Sequence, residues 1–466
     1  MIPLPLDEIA RATGGRVHPA VAGTTVIDTE VVTDSREVVP GSLYVARQGE
    51  HADGHQYVPA AAAAGAAAAL TDREMADLPC VVVPEVGDAF ASLARGVVDR
   101  CRAHDGLRIV GITGSSGKTS TKDLLAQVLR AHGRTIAAHA SYNSEVGVPL
   151  TVCRLDLDTE FLVAEMGASG VGHIEYLTRI APPDVSVVLN VGSAHLSEFG
   201  SREAIAHTKA ELVRALGPEG LAVLNADDPI VAAMAQQSAA PVLLFGTGPQ
   251  AQVRADEITL NPRGQASFTL TLPDESPVAV QLSLHGEHHV SNALAVAAVA
   301  HAWGMSPADI AARMSAALPT SRWRMEVTER ADGVTIVNDA YNANPESMRA
   351  ALRALSAMRH GRRAIAVVGE MRELGVDSVA EHERVGWLAA ELGVDEVVAV
   401  GPGAAPAAVA FQAARSDAGR QIERVEDAAL VLESMLVPGD VVLLKSSRDS
   451  GLRFLGETLA AGGVDP

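Results

Sequence analysis

The stretch "GITGSSGKTSTKD" at residues 111–123 contains the residue types that hold nucleotide phosphates. It follows an apolar run typical of a strand and opens a helical pattern, which is the context of a phosphate-binding loop. There, backbone N–H groups and Lys118 would hold the phosphates, and Thr119 would reach Mg²⁺. Ile112 lies where the strict GxxxxGK[ST] spacing has its first glycine. An ordinary glycine turn is the alternative interpretation.

Two further residues lie at predicted strand ends. Glu165 closes "FLVAE", and His195 lies in the loop after "VVLNVG". The carboxyl ends of parallel strands meet at one edge of a sheet, so both residues are expected beside the phosphates. Together they could form a second Mg²⁺ site. A loop histidine taken alone more often has a structural or solvated role.

Lys209 interrupts an apolar helical stripe. In "SREAIAHTKAELVRALG" the stripe runs through Ile205, Leu212, Val213 and Leu216, and Lys209 falls within it. One interpretation is a lysine whose stem packs while its ammonium group reaches water. The other is that burial lowers its pKa, so that a neutral amine takes up CO₂ and becomes a carbamate, an anionic Mg²⁺ ligand.

Two polar motifs have both a structural and a functional interpretation. "HGEHH" at 285–289 suggests zinc, but it has no cysteine or carboxylate at suitable spacing, which favours a strand end followed by a helix start. In "NDAYNANPESM" at 338–348, Asn344 and Pro345 fit a helix entry. That entry does not explain Asp339, Tyr341 and Asn342, which follow an apolar strand where ligands of open α/β sheets bind.

Composition limits the class of protein. The chain has 466 residues, a formal net charge of -20 and three cysteines without a CxxC pair. The acidic balance argues against nucleic-acid binding, and the cysteines fit reduced, buried thiols. The start "MIPLPLDEIARATGG" does not have the pattern of a secretory signal, and no apolar run is long enough to span a bilayer. We therefore expect a cytoplasmic globular protein without membrane insertion.

Apolar patterning predicts an α/β fold with three domains. Residues 1–105 show short apolar runs broken by turns, typical of a small α/β domain. Residues 106–318 alternate buried strands and helices, as in a P-loop-type parallel sheet, and end in an antiparallel patch with "SFTLTL" and "VAVQLSL". Residues 319–466 repeat the alternation of a Rossmann-like sheet.

Taken together, these motifs resemble the Mur ligases of peptidoglycan synthesis over the whole chain. The signatures are "TGSSGKTS", "AEMG", "SAHLSEFGS", "HTKAEL", "GEHHVSNALA", "WRMEV" and "KSSRDSG", with "TDSREVVPGSLYVARQGEHADGH" resembling a uridine-nucleotide module. "DAYNANPESM" and "GEMRELG" are similar to the member that adds D-alanyl-D-alanine, and the "DNPR" often found in the member that adds the third peptide residue is missing. His289 stands where the family commonly has asparagine, and Ser446 replaces a glycine.

The resemblance implies roles for individual residues. Nucleotide contacts are implied for Gly114, Ser115, Ser116, Gly117, Lys118, Thr119, Ser120, Asn292, Arg324, Asp339 and Tyr341. Mg²⁺ ligation is implied for Thr119, Glu165, His195 and carbamylated Lys209, and direct catalytic roles for Lys118, Lys209, His195 and Arg324. The UDP-linked substrate would meet Ser35, Arg36 and Asn143, and the dipeptide would meet Asn342, Asn344, Lys445 and Arg448.

The resemblance also implies the reaction. A monomeric cytoplasmic enzyme of cell-wall synthesis, and thus of cell shape and division, would use ATP and Mg²⁺ to activate the carboxyl group of UDP-N-acetylmuramoyl-tripeptide. D-Alanyl-D-alanine would then attack the acyl phosphate. Two alternatives stay open: a folylpolyglutamate synthase with the same chemistry, and a nucleotide-dependent switch. The missing NKxD-type guanine motif counts against the switch.

Overall fold

The chain folds into layers of helices and sheets. The computed structural model describes residues 1–49, 52–192, 199–415 and 418–462. Within these ranges, sheets form in three successive parts of the chain and helices cover their faces. The predicted α/β fold class is confirmed.

The first part of the chain forms a short, mostly parallel sheet. Its strands are β1 (Leu4–Pro5), β2 (Arg16–His18), β3 (Val26–Ile27), β4 (Val31–Val32), β5 (Leu43–Val45), β6 (Ala68–Thr71) and β7 (Cys80–Val82). The sheet order is β2-β7-β6-β5-β4, and β1 pairs with β3 as a separate ribbon. The helices are α1 (Leu6–Thr13), α2 (Val58–Ala63) and α3 (Val86–Asp105). One apolar cluster joins α3 to residues of the central part, so these two parts share a core.

The central part forms a long sheet that carries the phosphate-binding loop. Its strands are β8 (Arg108–Thr113), β9 (Thr135–Ala137), β10 (Phe161–Glu165), β11 (Val185–Val188), β12 (Leu221–Asn225), β13 (Val242–Gly246), β14 (Val253–Leu260), β15 (Gln265–Thr271) and β16 (Val278–His285). The order is β16-β15-β14-β13-β12-β11-β8-β10-β9. Strands β8 to β14 are parallel, whereas β14, β15 and β16 pair antiparallel. The predicted antiparallel edge is therefore confirmed.

Helices cover both faces of the central sheet. They are α4 (Lys118–Leu129), α5 (Gly147–Val152), α6 (His173–Ile180), α7 (Arg202–Arg214), α8 (Pro229–Ala233), α9 (His288–Ala302) and α10 (Pro307–Ala316). Helix α9 is buried along most of its length because its alanines and valines pack in the same apolar core as α4. Ser306 caps α10 and Pro307 is its first residue, as predicted.

The last part forms a second, mostly parallel sheet. Its strands are β17 (Glu326–Glu329), β18 (Thr335–Asn338), β19 (Ala364–Val368), β20 (Glu396–Val400), β21 (Gly419–Ile422) and β22 (Val441–Lys445), in the order β17-β18-β22-β19-β20-β21. The helices are α11 (Pro345–Arg359), α12 (Ser378–Glu391), α13 (Ala405–Ala414), α14 (Val425–Met435) and α15 (Leu452–Ala460). Strand β17 pairs antiparallel with β18, an edge hairpin that the apolar pattern did not predict because β17 is half polar.

None of the helices in the described ranges combines the length and the apolar composition needed to cross a membrane. All three cysteines are free and buried, as predicted. "HGEHH" forms the end of β16 and the start of α9, in agreement with the favoured interpretation. Across the described residues there is no group of three histidine, cysteine, aspartate or glutamate side chains that could hold a metal ion.

Candidate active site

The loop between β8 and α4 is held in a fixed shape. The backbone N–H of Ser116 donates to the Asn190 side-chain oxygen at 2.9 Å, and that of Ser115 donates to the Asn190 carbonyl at 3.1 Å. The Lys118 ammonium group donates to the Gly114 carbonyl at 2.6 Å. The loop thus ends at the N-terminus of a helix, where unpaired N–H groups and the helix dipole favour an anion.

Gly117 is required by two features of this loop. Its φ of 81° lies in the left-handed region, and a Cβ atom there would be 2.6 Å from the Asn292 side-chain oxygen. The same short distance shows that Asn292, on the buried helix α9, packs directly against the loop. The structure therefore brings together two residues that the sequence places 175 positions apart.

Glu165 is buried beside the loop. It is the last residue of β10 and is paired in register with Ile112, so it lies at the carboxyl edge of the sheet. Its side chain is 1% exposed and accepts hydrogen bonds from the Thr119 hydroxyl at 2.9 Å and the Asn143 amide at 2.7 Å. A hydroxyl and a carboxylate that face each other in this way are oxygen donors of the kind that Mg²⁺ prefers.

Lys209 is buried in helix α7, as one of its two interpretations requires. It is 7% exposed, and among the described residues its ammonium group has no hydrogen bond or ion pair. Burial, with a smaller contribution from the positive charge of Lys118, holds the pKa of Lys209 well below its ordinary value. Its side chain lines the same cleft as Glu165. The burial agrees with the carbamate interpretation, which stays a prediction.

Residues of the last part of the chain face the loop. Lys445 donates to the Asp339 carboxylate at 2.6 Å and to the Asn342 carbonyl at 3.0 Å. The Arg324 guanidinium lies 4.4 Å from the centre of the Tyr341 ring, a cation–π distance. Arg448 lies on the same ring at 5.7 Å. This wall of the cleft is therefore rich in positive charge.

Asn344 ties this wall to the phosphate-binding loop. It caps α11 by accepting from the Ser347 N–H, and Pro345 is the first residue of the helix, as predicted. Its amide group also donates to the Ser115 carbonyl at 3.1 Å. The cap thus also fixes the distance between the two sheets, a role that its sequence did not reveal.

A single cleft of about 1370 Å³ collects most of the predicted site residues. They are Ser115, Ser116, Gly117, Lys118, Thr119, Ser120, Asn143, Glu165, Lys209, Asn292, Arg324, Asp339, Tyr341, Asn342, Asn344 and Lys445. Gly114 and Arg448 are not among the lining residues and contact the site through Lys118 and Tyr341. His195 lies outside the described residues.

Ser35 and Arg36 lie away from this lining. They form a short turn in the first part of the chain, where the Arg36 guanidinium pairs with Asp34 at 2.5 Å and its side chain is 87% exposed. The first part of the chain instead lines the cleft with Arg47, which has no ion pair among the described residues. The uridine-nucleotide role of Ser35 and Arg36 stays a prediction.

Two further hydrogen-bonding residues of the site, Asn190 and Ser141, were not predicted from the sequence. Asn190 shapes the phosphate-binding loop, and its position one residue after the apolar run "VSVVL" was a usable signal. The Ser141 hydroxyl forms a hydrogen bond with the Tyr341 hydroxyl, joining a loop of the central part to the last part of the chain. No local pattern marks a serine for such a long-range contact.

His288 and His289 line the cleft and favour the neutral form. Burial lowers the pKa of His288 to about 4, with Asp339 raising it and Lys445 lowering it to smaller extents. Burial, followed by the neighbouring His288 and His285, also holds the pKa of His289 well below its ordinary value. The Nδ1 atom of His288 is buried and has no hydrogen-bond partner in the described part of the chain.

This burial predicts a pH dependence of stability. A histidine with a lowered folded-state pKa stabilises the fold above its unfolded pKa of about 6.5, and this contribution is lost as the pH falls from there through about 4. We expect His288→Asn to make the decrease in free energy of unfolding over this range shallower by about 1 kcal/mol per pH unit. Urea titrations at several pH values measure the slope. The matched control His104→Asn, at an exposed position, should keep the wild-type slope.

Comparison with known proteins agrees with this geometry. Three family models match the chain: "Mur ligase family, catalytic domain" over residues 29–96, "Mur ligase middle domain" over 112–300, and "Mur ligase, glutamate ligase domain" over 323–448. A Mycobacterium bovis protein named UDP-N-acetylmuramoyl-tripeptide--D-alanyl-D-alanine ligase is 44% identical over 99% of this chain and 98% of the relative. The chain belongs to the Mur ligase family. The family that the motifs indicated is thereby confirmed.

Solved structures support the same assignment for this Mur ligase. A crystal structure of MurF from Acinetobacter baumannii matches with a TM-score of 0.88 and 31% identity, covering 98% of this chain and 99% of that one. MurF ligase from Thermotoga maritima in complex with ADP matches with a TM-score of 0.79 and 31% identity, covering 93% and 98% of the two chains. The architecture described above is thus shared with these two structures over most of each chain.

Proposed function

We propose that this Mur ligase joins D-alanyl-D-alanine to the tripeptide carboxyl group of UDP-N-acetylmuramoyl-tripeptide, with conversion of ATP to ADP and phosphate. The observation that carries the proposal is the single cleft, which a phosphate-binding loop, a buried carboxylate and the cationic wall of the second sheet line together. The predicted ligation agrees with the names of the relatives. The product is the UDP-linked muramoyl pentapeptide used in peptidoglycan synthesis.

The chemistry requires activation of an inert acid. A carboxylate does not react with an amine at neutral pH because its leaving group is poor. Transfer of the γ-phosphoryl group from ATP to a carboxylate oxygen breaks the bond to ADP and forms an acyl phosphate. The unprotonated amine of D-alanyl-D-alanine then attacks the acyl carbon. The tetrahedral intermediate collapses to the amide, and phosphate leaves with the electron pair of the acyl–oxygen bond.

Lys118 and Arg324 offset the repulsion between the two anionic reactants. Lys118 begins helix α4 inside the phosphate-binding loop, and Arg324 lies across the cleft on the Tyr341 ring. Both line the cleft, and we place their charges near the transferred phosphoryl group. Preorganised cations of this kind stabilise charge that develops in the transition state. Asn292, Asp339 and Tyr341 line the same cleft and are the further predicted contacts of the adenosine or the γ-phosphate.

The residues at the carboxyl edge of the sheet fit Mg²⁺. Thr119 and Glu165 offer a hydroxyl and a carboxylate that already face each other, and His195 is a further predicted ligand outside the described residues. Lys209, whose pKa is held well below its ordinary value by burial, would join them as a carbamate. When bound, Mg²⁺ supplies positive charge between the phosphates and the acceptor carboxylate. The protein's own contribution is the fixed orientation of these donors.

The two remaining substrates occupy opposite ends of the cleft. The UDP-linked acceptor lies toward the first part of the chain, with Asn143 and, as a further cationic contact, Arg47 in the cleft lining. Its other predicted contacts, Ser35 and Arg36, lie outside that lining. The dipeptide lies toward the last part. Its predicted contacts are Asn342, Asn344, Lys445 and Arg448. Lys445 donates to the Asp339 carboxylate and to the Asn342 carbonyl, so it positions these two residues at this end of the cleft.

Each of three proposed domains has its own role. Residues 1–105 bind the UDP-linked substrate, residues 106–318 bind ATP and carry out ligation, and residues 319–466 supply the dipeptide wall. Contacts such as Asn344 with Ser115 hold the last domain against the phosphate-binding loop and exclude water that would hydrolyse the acyl phosphate. We place this enzyme in the cytoplasm as a monomer.

The test is a ligation assay with the full chain. Phosphate release should require ATP, Mg²⁺, UDP-N-acetylmuramoyl-tripeptide and D-alanyl-D-alanine together, and mass spectrometry should show the acceptor enlarged by one dipeptide minus water. Acceptors with lysine and with diaminopimelate as the third residue are run in parallel. Phosphate release that needs no acceptor would favour a nucleotide switch. Ligation of glutamate to a folate would favour folylpolyglutamate synthase.

A further inference from the structure

Lysine is rare in this chain. The sequence contains 37 lysine and arginine residues. Only four of them are lysine: Lys118, Lys122, Lys209 and Lys445. Three of these line the cleft. The other one, Lys122, is 2% exposed and has no part in the reaction described above. A buried lysine therefore lies one helical turn from Lys118 in a chain whose other cationic side chains are almost all arginine.

All the donors of Lys122 have partners. Its ammonium group donates to the carbonyls of Ala138 and Ala140 at 2.9 Å each and forms an ion pair with Asp123 at 2.5 Å. Burial of a charge is costly unless it is paired and hydrogen-bonded, and an apolar side chain of similar size is often as stable. The geometry suits lysine because a compact ammonium group can serve three acceptors in three directions, which a planar guanidinium group does not.

The two carbonyls belong to a loop that enters the cleft. Ala140 has a φ of 46°, a left-handed conformation that is unfavourable for alanine and needs outside support. The next residue, Ser141, hydrogen-bonds to Tyr341. Asn143 follows and donates to Glu165 at 2.7 Å. Lys122 thus holds the base of a loop, residues 138–143, whose far end lines the cleft.

The counter-ion of Lys122 extends the connection to a third segment. The second oxygen of Asp123 accepts a hydrogen bond from the Ser321 hydroxyl at 2.5 Å. Ser321 precedes Trp323 and Met325, whose φ values of 58° and 49° are also left-handed. Arg324 lies between these two residues. Lys122 itself fixes the loop 138–143, whereas Asp123 holds the segment that carries Arg324 through its own hydrogen bond to Ser321, which does not involve Lys122.

We propose that Lys122 is a positioning residue for the acceptor substrate. From the helix that begins at the ATP phosphates, its ammonium group sets the loop 138–143 so that Asn143 and Ser141 are presented to the UDP-linked acceptor. The inference rests on the proposed function because that function places the acceptor beside Asn143. Lys122 touches neither nucleotide nor acceptor. Its loss should therefore affect binding of the acceptor far more than binding of ATP.

Calorimetric titration of the full chain tests whether loss of Lys122 weakens binding of the acceptor more than binding of ATP. For Lys122→Met, which keeps the stem and removes the ammonium group, we expect the Kd for UDP-N-acetylmuramoyl-tripeptide to rise about tenfold or more. The Kd for a non-hydrolysable ATP analogue should stay within about twofold. A merely structural role would weaken both ligands together. Equal losses, or an unchanged acceptor Kd, would overturn the inference.

Two further variants make the test robust. Lys122→Arg keeps the charge but changes the donor geometry, and it should also weaken the acceptor, by about threefold or more. This variant decides the question if Lys122→Met does not fold, and wild-type affinity would then overturn the inference. Gln127→Ala is the matched control, since it removes two hydrogen bonds between the same helix and Leu318 without touching the loop. Its acceptor Kd should be that of the wild type.

The wild-type chain separates this inference from the function on which it rests. If the unaltered protein does not bind the UDP-linked acceptor, the proposed function fails and the inference fails with it. If the wild type binds the acceptor and Lys122→Met binds it equally well, only the role of Lys122 is lost.

Discussion

Lys118→Ala should lower the rate of ligation by about a thousandfold or more, the effect expected when a preorganised charge at the reacting group is removed. Lys118 sits at the N-terminus of α4 and lines the cleft. Burial lowers its pKa, whereas the nearby Glu165 raises it. An ammonium group fixed in the loop at that position neutralises charge on the transferred phosphoryl group. The alanine variant should keep the shape of the loop, because Asn190 holds the loop independently of Lys118. It lacks only the charge.

The measurement that isolates this step is capture of the acyl phosphate. Hydroxylamine converts an acyl phosphate to a hydroxamate, so ATP and the UDP-linked acceptor can be incubated without dipeptide and the hydroxamate counted. The Lys118→Ala variant should yield almost none, while Gln127→Ala from the same helix should yield the wild-type amount. Hydroxamate at the wild-type level in Lys118→Ala would show that Lys118 does not take part in phosphoryl transfer.

The strands and helices that position this site follow from patterns within short windows. The apolar run "RIVGIT" forms a strand buried along most of its length, and the Gly-Lys-Thr that follows it begins α4. Alternation of period two identified the antiparallel edge at β15 and β16. The polar residues Glu165 and Asp339 each lie at the carboxyl edge of their own sheet, because parallel strands share their direction. Each of these features depends on neighbours close in sequence.

Features that depend on distant partners were not predictable in this way. Ser141 meets Tyr341 across 200 positions, and Asn344 reaches Ser115 across 229. No sequence pattern marks Lys122, because its partners, the carbonyls of Ala138 and Ala140, come from a backbone conformation that no side-chain pattern encodes. A pairing between residues close in sequence also bears on one predicted substrate contact. A carboxylate two residues away holds the Arg36 guanidinium, and the predicted contact of Arg36 with substrate stays a prediction.

Lys209→Ala should also lose most of the ligase activity, and small carboxylates such as formate should restore part of it. The reason is the chemistry of a buried amine. Lys209 lies within an apolar stripe, and burial together with the charge of Lys118 favours its neutral form. A neutral amine adds to CO₂ and loses a proton, giving a carbamate with one negative charge. A small carboxylate that diffuses into the space left by alanine replaces that charge beside Thr119 and Glu165.

The carbamate has a signature that is independent of activity. With lysine at only four positions, ¹³C-bicarbonate should give a carbamate carbon resonance that disappears in Lys209→Ala and persists in Lys122→Met. Lys122 is the matched control because it is also a buried lysine but is fully paired, with three acceptors around its ammonium group. Formate should accordingly not rescue Lys122→Met. Full activity of Lys209→Ala, or loss of activity with neither rescue nor a carbamate signal in the wild type, would leave Lys209 as a buried amine without the proposed modification. In either case, the charge near Thr119 and Glu165 would have to come from other ligands.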